Sequence, residues 1–295
     1  MAADRFRIGS VTKTYVTALV LRLAADGAFT FDDSVEHWLP GLVPGGEEIT
    51  VEHLLRMRSG LPDYTGPLYG DPSDPAELRD VLQRYWSPQA LVELALGAPD
   101  RLPLDTTYRY CNTDYILLGL IAEAATGERV EAQLWQKIFQ PLQLEQTTFP
   151  TVDPYIRGPH ADGHLRLSAA QPYVEFTTFS QSESWTAGAI ITTPHELARF
   201  FDALFGGELI DAPSLAHMTD CSELLDERHA RGLGIVRYSL ADGSVLYGHH
   251  GGVPGFTTLA LHSTAGRTIV LYQNGIDVHD ILTSETPFIQ AAARL

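Results

Sequence analysis

Lysine is nearly missing from this chain: of its 20 lysine and arginine residues only two, Lys13 and Lys137, are lysine. A lysine inside a chemical pattern is therefore no by-product of a lysine-rich surface. Cysteine is equally scarce, and Cys111 and Cys221 offer neither a disulfide framework nor a metal-ligand spacing. The eleven histidines give no metal-site signature, so no metal or other cofactor is expected. No apolar stretch is long enough for a membrane span, and the run from Val16 to Ala25 is interrupted by Arg22. Basic clusters are missing too. The formal charge of −17 argues against nucleic acid and anionic membrane surfaces as partners. The opening Met-Ala-Ala-Asp-Arg forms no signal peptide. That points to the cytoplasm, unless a segment preceding this sequence carries an export signal.

What is present is enough chain for one large domain or two ordinary ones, with a sizeable core. The apolar residues from Tyr15 to Ala24 predict a largely buried helix starting at Ser10. Thr50 opens a short helix, with His53 in the capping-box position. Residues 62 to 74, rich in Gly, Pro, Asp and Tyr, read as a long surface loop. Further helices are expected at Pro75–Trp86, Pro88–Leu96, Asn112–Thr126, Val130–Phe139 and Pro194–Phe205, with residues 140 to 182 mostly irregular. The pattern then changes. Gly232–Ser239, Ser244–His249, Phe256–His262 and Thr268–Gln273 are short and rich in Val, Ile, Leu and Tyr, with turn signals at Asp242-Gly243 and Ala265-Gly266. They predict an antiparallel meander, followed by a last helix at Pro287–Leu295. Helices in the middle and strands at the end make this an α+β chain: an antiparallel sheet flanked by helices, plus a mostly helical region. Residues 1–30 and 185–295 are expected to form the sheet-plus-helix layer and residues 31–184 the helical region, with the site at their junction.

Three segments carry chemistry. In Ser10-Val11-Thr12-Lys13 the serine and lysine lie one helical turn apart, within side-chain reach. A serine hydroxyl is a weak nucleophile until a base takes its proton, and a desolvated lysine can be that base. In Tyr110-Cys111-Asn112 the outer two residues can face one way, offering a phenol and an amide. Asn112 is expected to cap the helix it enters. In His249-His250-Gly251-Gly252 the glycines let a strand come close to a ligand. The Gly252 N–H and the Ser10 N–H could form an oxyanion hole. Taken singly, each has an ordinary reading: a helix cap with a solvated lysine, a buried tyrosine, a glycine-rich hairpin.

Together, in this order, Ser10-x-x-Lys13, Tyr110-x-Asn112 and His249-x-Gly251 resemble the penicillin-recognising serine hydrolases: class C β-lactamases, DD-carboxypeptidases and related esterases. The segments around them, Phe6–Thr14, Thr50–Tyr64, Ala187–Leu204 and Gly248–Phe256, resemble the family's as well. The resemblance implies Ser10 as nucleophile, Lys13 as its base, Tyr110 as proton carrier to the leaving group and Asn112 as holder of the acyl amide. His249 takes the place often filled by lysine in β-lactamases. It implies an acyl-enzyme route on a small ester, amide or D-amino-acid peptide, with water, an amine or an alcohol as acceptor. The alternative is a non-catalytic scaffold or β-lactam sensor of the same fold. Two departures stand out. The family's N-terminal strands precede the serine motif, and only nine residues do so here. Threonines that grip a terminal carboxylate in DD-carboxypeptidases are replaced by His250 and Gly252, which leaves room for an esterase, amidase or acyltransferase. Oligomeric state is not legible.

Overall fold

The computed structural model describes residues 4–277. The helix expected at Pro287–Leu295 lies outside them. A tight 3-10 turn at Gly9–Val11 leads into helix α1 (Thr12–Ala25). From Thr12 to Leu21 every residue of α1 is buried, which is what a helix apolar on all faces requires. Helix α2 (Asn112–Thr126) is buried in the same way from Thr113 to Ala122, and the two pack against each other. The short helix α3 (Trp185–Gly188) packs against both, and α4 (Pro194–Phe205) lies on the sheet with its apolar face inward.

The sheet is a six-stranded antiparallel meander in chain order. Its strands are β1 (Glu223–Leu224), β2 (His229–Arg231), β3 (Val236–Ser239), β4 (Val245–Val253), β5 (Phe256–Ser263) and β6 (Thr268–Gln273). The four long segments expected from the sequence supply β3 to β6, and two short strands extend the edge. The chain is α+β. β4 and β5 pair over eight positions, with His249 opposite Ala260 and Gly252 opposite Thr257. The Gly9–Val11 turn packs on both of these strands. Elsewhere Phe6–Arg7 pairs with Ile191–Thr192, and His164–Arg166 joins Val174–Glu175 and Gly275–Asp277 in a small second sheet.

Several boundaries differ from the sequence expectation, each for a local reason. The Pro75 helix ends at Leu82, because Ser87 must be extended to cap the next helix at Pro88. The loop from 62 to 74 contains a helical turn at Thr65–Tyr69, anchored by the buried Tyr64 and Leu68. The helix at Val130–Leu134 continues as a π-helical turn, Trp135–Phe139. Asn112 does not cap α2: it is the first helical residue, and the distant Asp63 accepts from its backbone N–H at 2.8 Å. Thr50 and His53 form the expected reciprocal capping box. Among the described residues, no helix is long and apolar enough to cross a membrane.

Candidate active site

Lys13 is completely buried, and its ammonium nitrogen has three neighbours. Nζ lies 2.7 Å from Asn112 Oδ1, 2.8 Å from the Ala187 carbonyl and 3.2 Å from Ser10 Oγ. Each neighbour comes from a different part of the fold: the start of α2, the last turn of α3 and the turn before α1. A neutral amine has two hydrogens and one lone pair. The Asn112 amide oxygen and the Ala187 carbonyl oxygen can only accept, so they take the two hydrogens and leave the lone pair to face the serine hydroxyl. Burial pushes Lys13 down to about 7, the nearby Arg231 adding to this and Asp63 opposing it. The neutral form is thus accessible near neutral pH.

The orientation of the Asn112 amide follows from Asp63. Asp63 Oδ2 accepts from Asn112 Nδ2 at 2.9 Å as well as from its backbone N–H, so Oδ1 must turn toward Lys13. Tyr110 lies beside both catalytic candidates: the Ser10 side chain acts on its phenol, and Lys13 Nζ is 4.9 Å from its ring centre. Desolvation pushes the Tyr110 phenol up to about 12, so it carries its proton at neutral pH. Cys111 points away, toward the Leu61 and Pro62 carbonyls.

On the opposite wall, backbone meets backbone. A Cβ on Gly251 would stand 1.9 Å from the Ile8 carbonyl oxygen and 3.0 Å from Ser10 N. Gly9 has φ +52°, and a Cβ there would lie 2.8 Å from both N and O of Gly252. Only glycines let the Ser10 turn and β4 approach this closely. Ser10 and Gly252 consequently form a common rim between two cavities. The first, of about 460 Å³, includes Asn112, Tyr69, Ser184 and Leu165 in its lining. The second, of about 600 Å³, includes Tyr110, Arg231, His229 and His249.

His249 reaches the site, but both its ring nitrogens are engaged. Arg231 donates to Nε2 across 3.1 Å, and Nδ1 lies 2.5 Å from the His250 carbonyl. An arginine can only donate, so Nε2 must accept and Nδ1 must carry the proton. Burial, with Arg231 and Lys13 nearby, holds His249 well below its ordinary value and keeps it neutral. The ring is therefore a fixed bracket between β2 and β4. Among the described residues no group of three or more His, Cys, Asp or Glu could hold a metal ion.

The beta-lactamase family model matches residues 2–293. The chain belongs to the beta-lactamase family. Among solved structures of that fold, a D-stereospecific amidohydrolase from a Streptomyces species superposes with a TM-score of 0.87 at 30% identity, covering 96% of this chain and 87% of that one. A D-amino acid amidase from Ochrobactrum anthropi SV3, complexed with D-phenylalanine, superposes at 0.83 with 26% identity, covering 100% of this chain and 94% of that one. A penicillin-binding protein of Bacillus subtilis (strain 168) is 25% identical over 279 residues, 90% of this chain and 60% of the relative. The chain thus spans about 60% of that relative's length.

Several groups around Ser10 escape a reading of the beta-lactamase motifs alone. Asp63 sits in a stretch that reads as loop, Ala187 contributes only a backbone carbonyl, and Arg231 lies on a three-residue strand. The 180–184 segment is buried although Ser, Gln, Ser, Glu and Ser compose it. A wholly polar run next to an apolar one was the available signal there.

Proposed function

We propose that this chain is a serine hydrolase that cleaves a small ester or amide through an acyl-enzyme on Ser10. The observation that carries this reading is the coordination of Lys13, whose two hydrogen-bond acceptors leave a lone pair directed at the Ser10 hydroxyl. In the first step Lys13 takes the Ser10 proton as Oγ attacks the substrate carbonyl. The Ser10 and Gly252 N–H groups hold the resulting oxyanion, and the close approach of Gly9, Gly251 and Gly252 is what lets both reach it. As the tetrahedral intermediate collapses, Tyr110 gives its proton to the leaving group and regains one from Lys13. Water then attacks the acyl-enzyme by the reverse sequence.

The proton carrier defines the sides of the site. Tyr110 lines the second cavity, so the leaving group departs there, and the acyl group stays in the first cavity beside Asn112. The acceptor enters where the leaving group left, and an amine or alcohol can compete with water at that point. Similarity to a D-stereospecific amidohydrolase and a D-amino acid amidase supports an amide or ester of an amino acid as donor.

The test is labelling by a fluorophosphonate probe, followed by burst kinetics with an activated ester with and without added amine. Labelling of the wild type that disappears in Ser10→Ala, with a burst of one equivalent, is the expected result. No labelling and no burst would leave a non-catalytic scaffold as the reading.

A further inference from the structure

The acyl-side cavity combines apolar side chains with polar ones, Thr65, Asp71 and Asn112 among them. Leu78, Leu165, Leu167 and Val253 line it, and Tyr69 and Ser184 add hydroxyls. Both hydroxyls are spent on one carboxylate oxygen. Ser184 Oγ donates to Glu183 Oε1 at 2.6 Å, and Tyr69 Oη donates to the same oxygen at 3.4 Å. Glu183 lies behind these hydroxyls, 1% exposed, and its Oε2 has no hydrogen-bond partner. The buried Arg7 is the cation that acts on it, but the Arg7 guanidinium donates to the carbonyls of Pro154, Thr177 and Phe179 instead.

A hydroxyl that gives its proton to a carboxylate has only lone pairs left for other partners. The two hydroxyls therefore accept hydrogen bonds and cannot donate them. Among the described residues no lysine or arginine lines this cavity, whereas Asp71 does. A neutral apolar acyl group would leave these lone pairs unmatched, and an anionic one would be repelled. A protonated amine matches them and adds positive charge beside a buried carboxylate that Arg7 does not pair with directly.

We propose that Glu183, acting through Ser184 and Tyr69, selects acyl donors that carry a free ammonium group together with an apolar side chain. The substrate class is then an aminoacyl ester or amide with an unblocked amino group. This rests on the serine-hydrolase reading above. Glu183 is a positioning residue: it turns the two hydroxyls so that their oxygens face the cavity. Burial pushes its carboxyl up to about 7, with Ser184 and Arg7 pulling it back, and a bound ammonium favours the ionised form further.

The experiment compares kcat/KM for phenylalanine p-nitroanilide, in both D and L forms, with that for 3-phenylpropanoyl p-nitroanilide, which lacks only the amine. Wild type, Glu183→Gln and Ser184→Ala are measured at pH 7. The better enantiomer should exceed the desamino compound by roughly 10- to 100-fold in the wild type, the range for a hydrogen bond to a charged group. That ratio should fall toward one in Glu183→Gln and fall in part in Ser184→Ala. The ratio is internal to each variant, so a general loss of activity does not mimic the effect. Should Glu183→Gln fail to fold, Ser184→Ala carries the test. A wild type that labels with fluorophosphonate but shows no preference for the amine, or turns over neither compound, overturns the inference and leaves the Ser10 reading standing. A preference that survives in both variants also overturns it. Absence of labelling overturns the Ser10 reading instead.

Discussion

Around Ser10, one lysine is held between two acceptors and a hydroxyl, and this arrangement sets the pH response. As the proposed base, Lys13 must lose its proton, and burial brings that event to about 7. Below this value kcat/KM for an activated, non-ionising ester should fall tenfold per pH unit, and above it the rate should level off. Tyr110, raised to about 12, and His249, held well below its ordinary range, should add no inflection between pH 6 and 9. A pH–rate profile with no limb near 7 would remove Lys13 as the base. Lys13→Arg keeps the charge but cannot deprotonate at working pH. It should slow acylation by roughly 10²- to 10⁴-fold, the range for removal of a general base, as read from the burst rate. Tyr110→Phe should keep partial activity toward an activated ester, whose leaving group needs no proton, and lose much more toward an anilide. Equal losses on the two substrates would argue against a role in protonating the leaving group.

Among elements, the contact between the Gly9–Val11 turn and β4 is the one that joins Ser10 to the sheet. Gly251→Ala would push a methyl group against the Ile8 carbonyl oxygen, at 1.9 Å. Overpacking of this kind costs about 1–3 kcal/mol in stability. Displacement of Gly252 should also lower kcat by roughly 10²- to 10³-fold, as loss of an oxyanion donor does. A variant as active as wild type would show that the donor lies elsewhere. The start of α2 offers a second test. Asp114 is buried beneath the Tyr110-x-Asn112 turn, accepts from Ser59 Oγ at 2.6 Å, and is raised by burial to about 8. Its unfolded value is that of an ordinary carboxyl, near 3.8. Between those two values the unfolded chain loses the proton while the folded one keeps it. Stability from this group is therefore complete at acid pH and lost as pH rises toward 8. Asp114→Asn should gain in Tm relative to wild type as pH rises from 4 to 8. A constant difference across that range would mean that Asp114 is ionised in the fold.

The whole molecule is dominated by its acidic excess, −17 over 295 residues. Ion pairs such as Arg58 with Asp105 and Glu223, or Arg199 with Glu208, relieve the repulsion only locally. Raising ionic strength from roughly 0.01 to 0.15 M shortens the screening length from about 30 to about 8 Å. The midpoint of thermal unfolding should rise with this addition of salt, because self-repulsion is screened more than short contacts are. A fall would show that the ion pairs outweigh the net charge.

From the amino-acid order alone came the class of the fold, α1, α2 and α4, the four principal strands, and the pairing of Ser10 with Lys13. These depend on apolar periodicity, proline and glycine punctuation, and a spacing of one helical turn, all of which are local. The Pro88–Leu96, Asn112–Thr126 and Pro194–Phe205 boundaries were legible for the same reason. Only the tertiary structure decided how Lys13 is coordinated, since the Ala187 carbonyl and the Asn112 amide lie 174 and 99 residues away. It also decided that Asp63 rather than Asn112 caps α2, that Arg231 fixes the tautomer of His249, and that Glu183 stands buried behind the acyl cavity. Hydrogen-bond partners and desolvation arise from what folding brings within about 3 Å. Nothing in the spacing of residues along a chain records that distance.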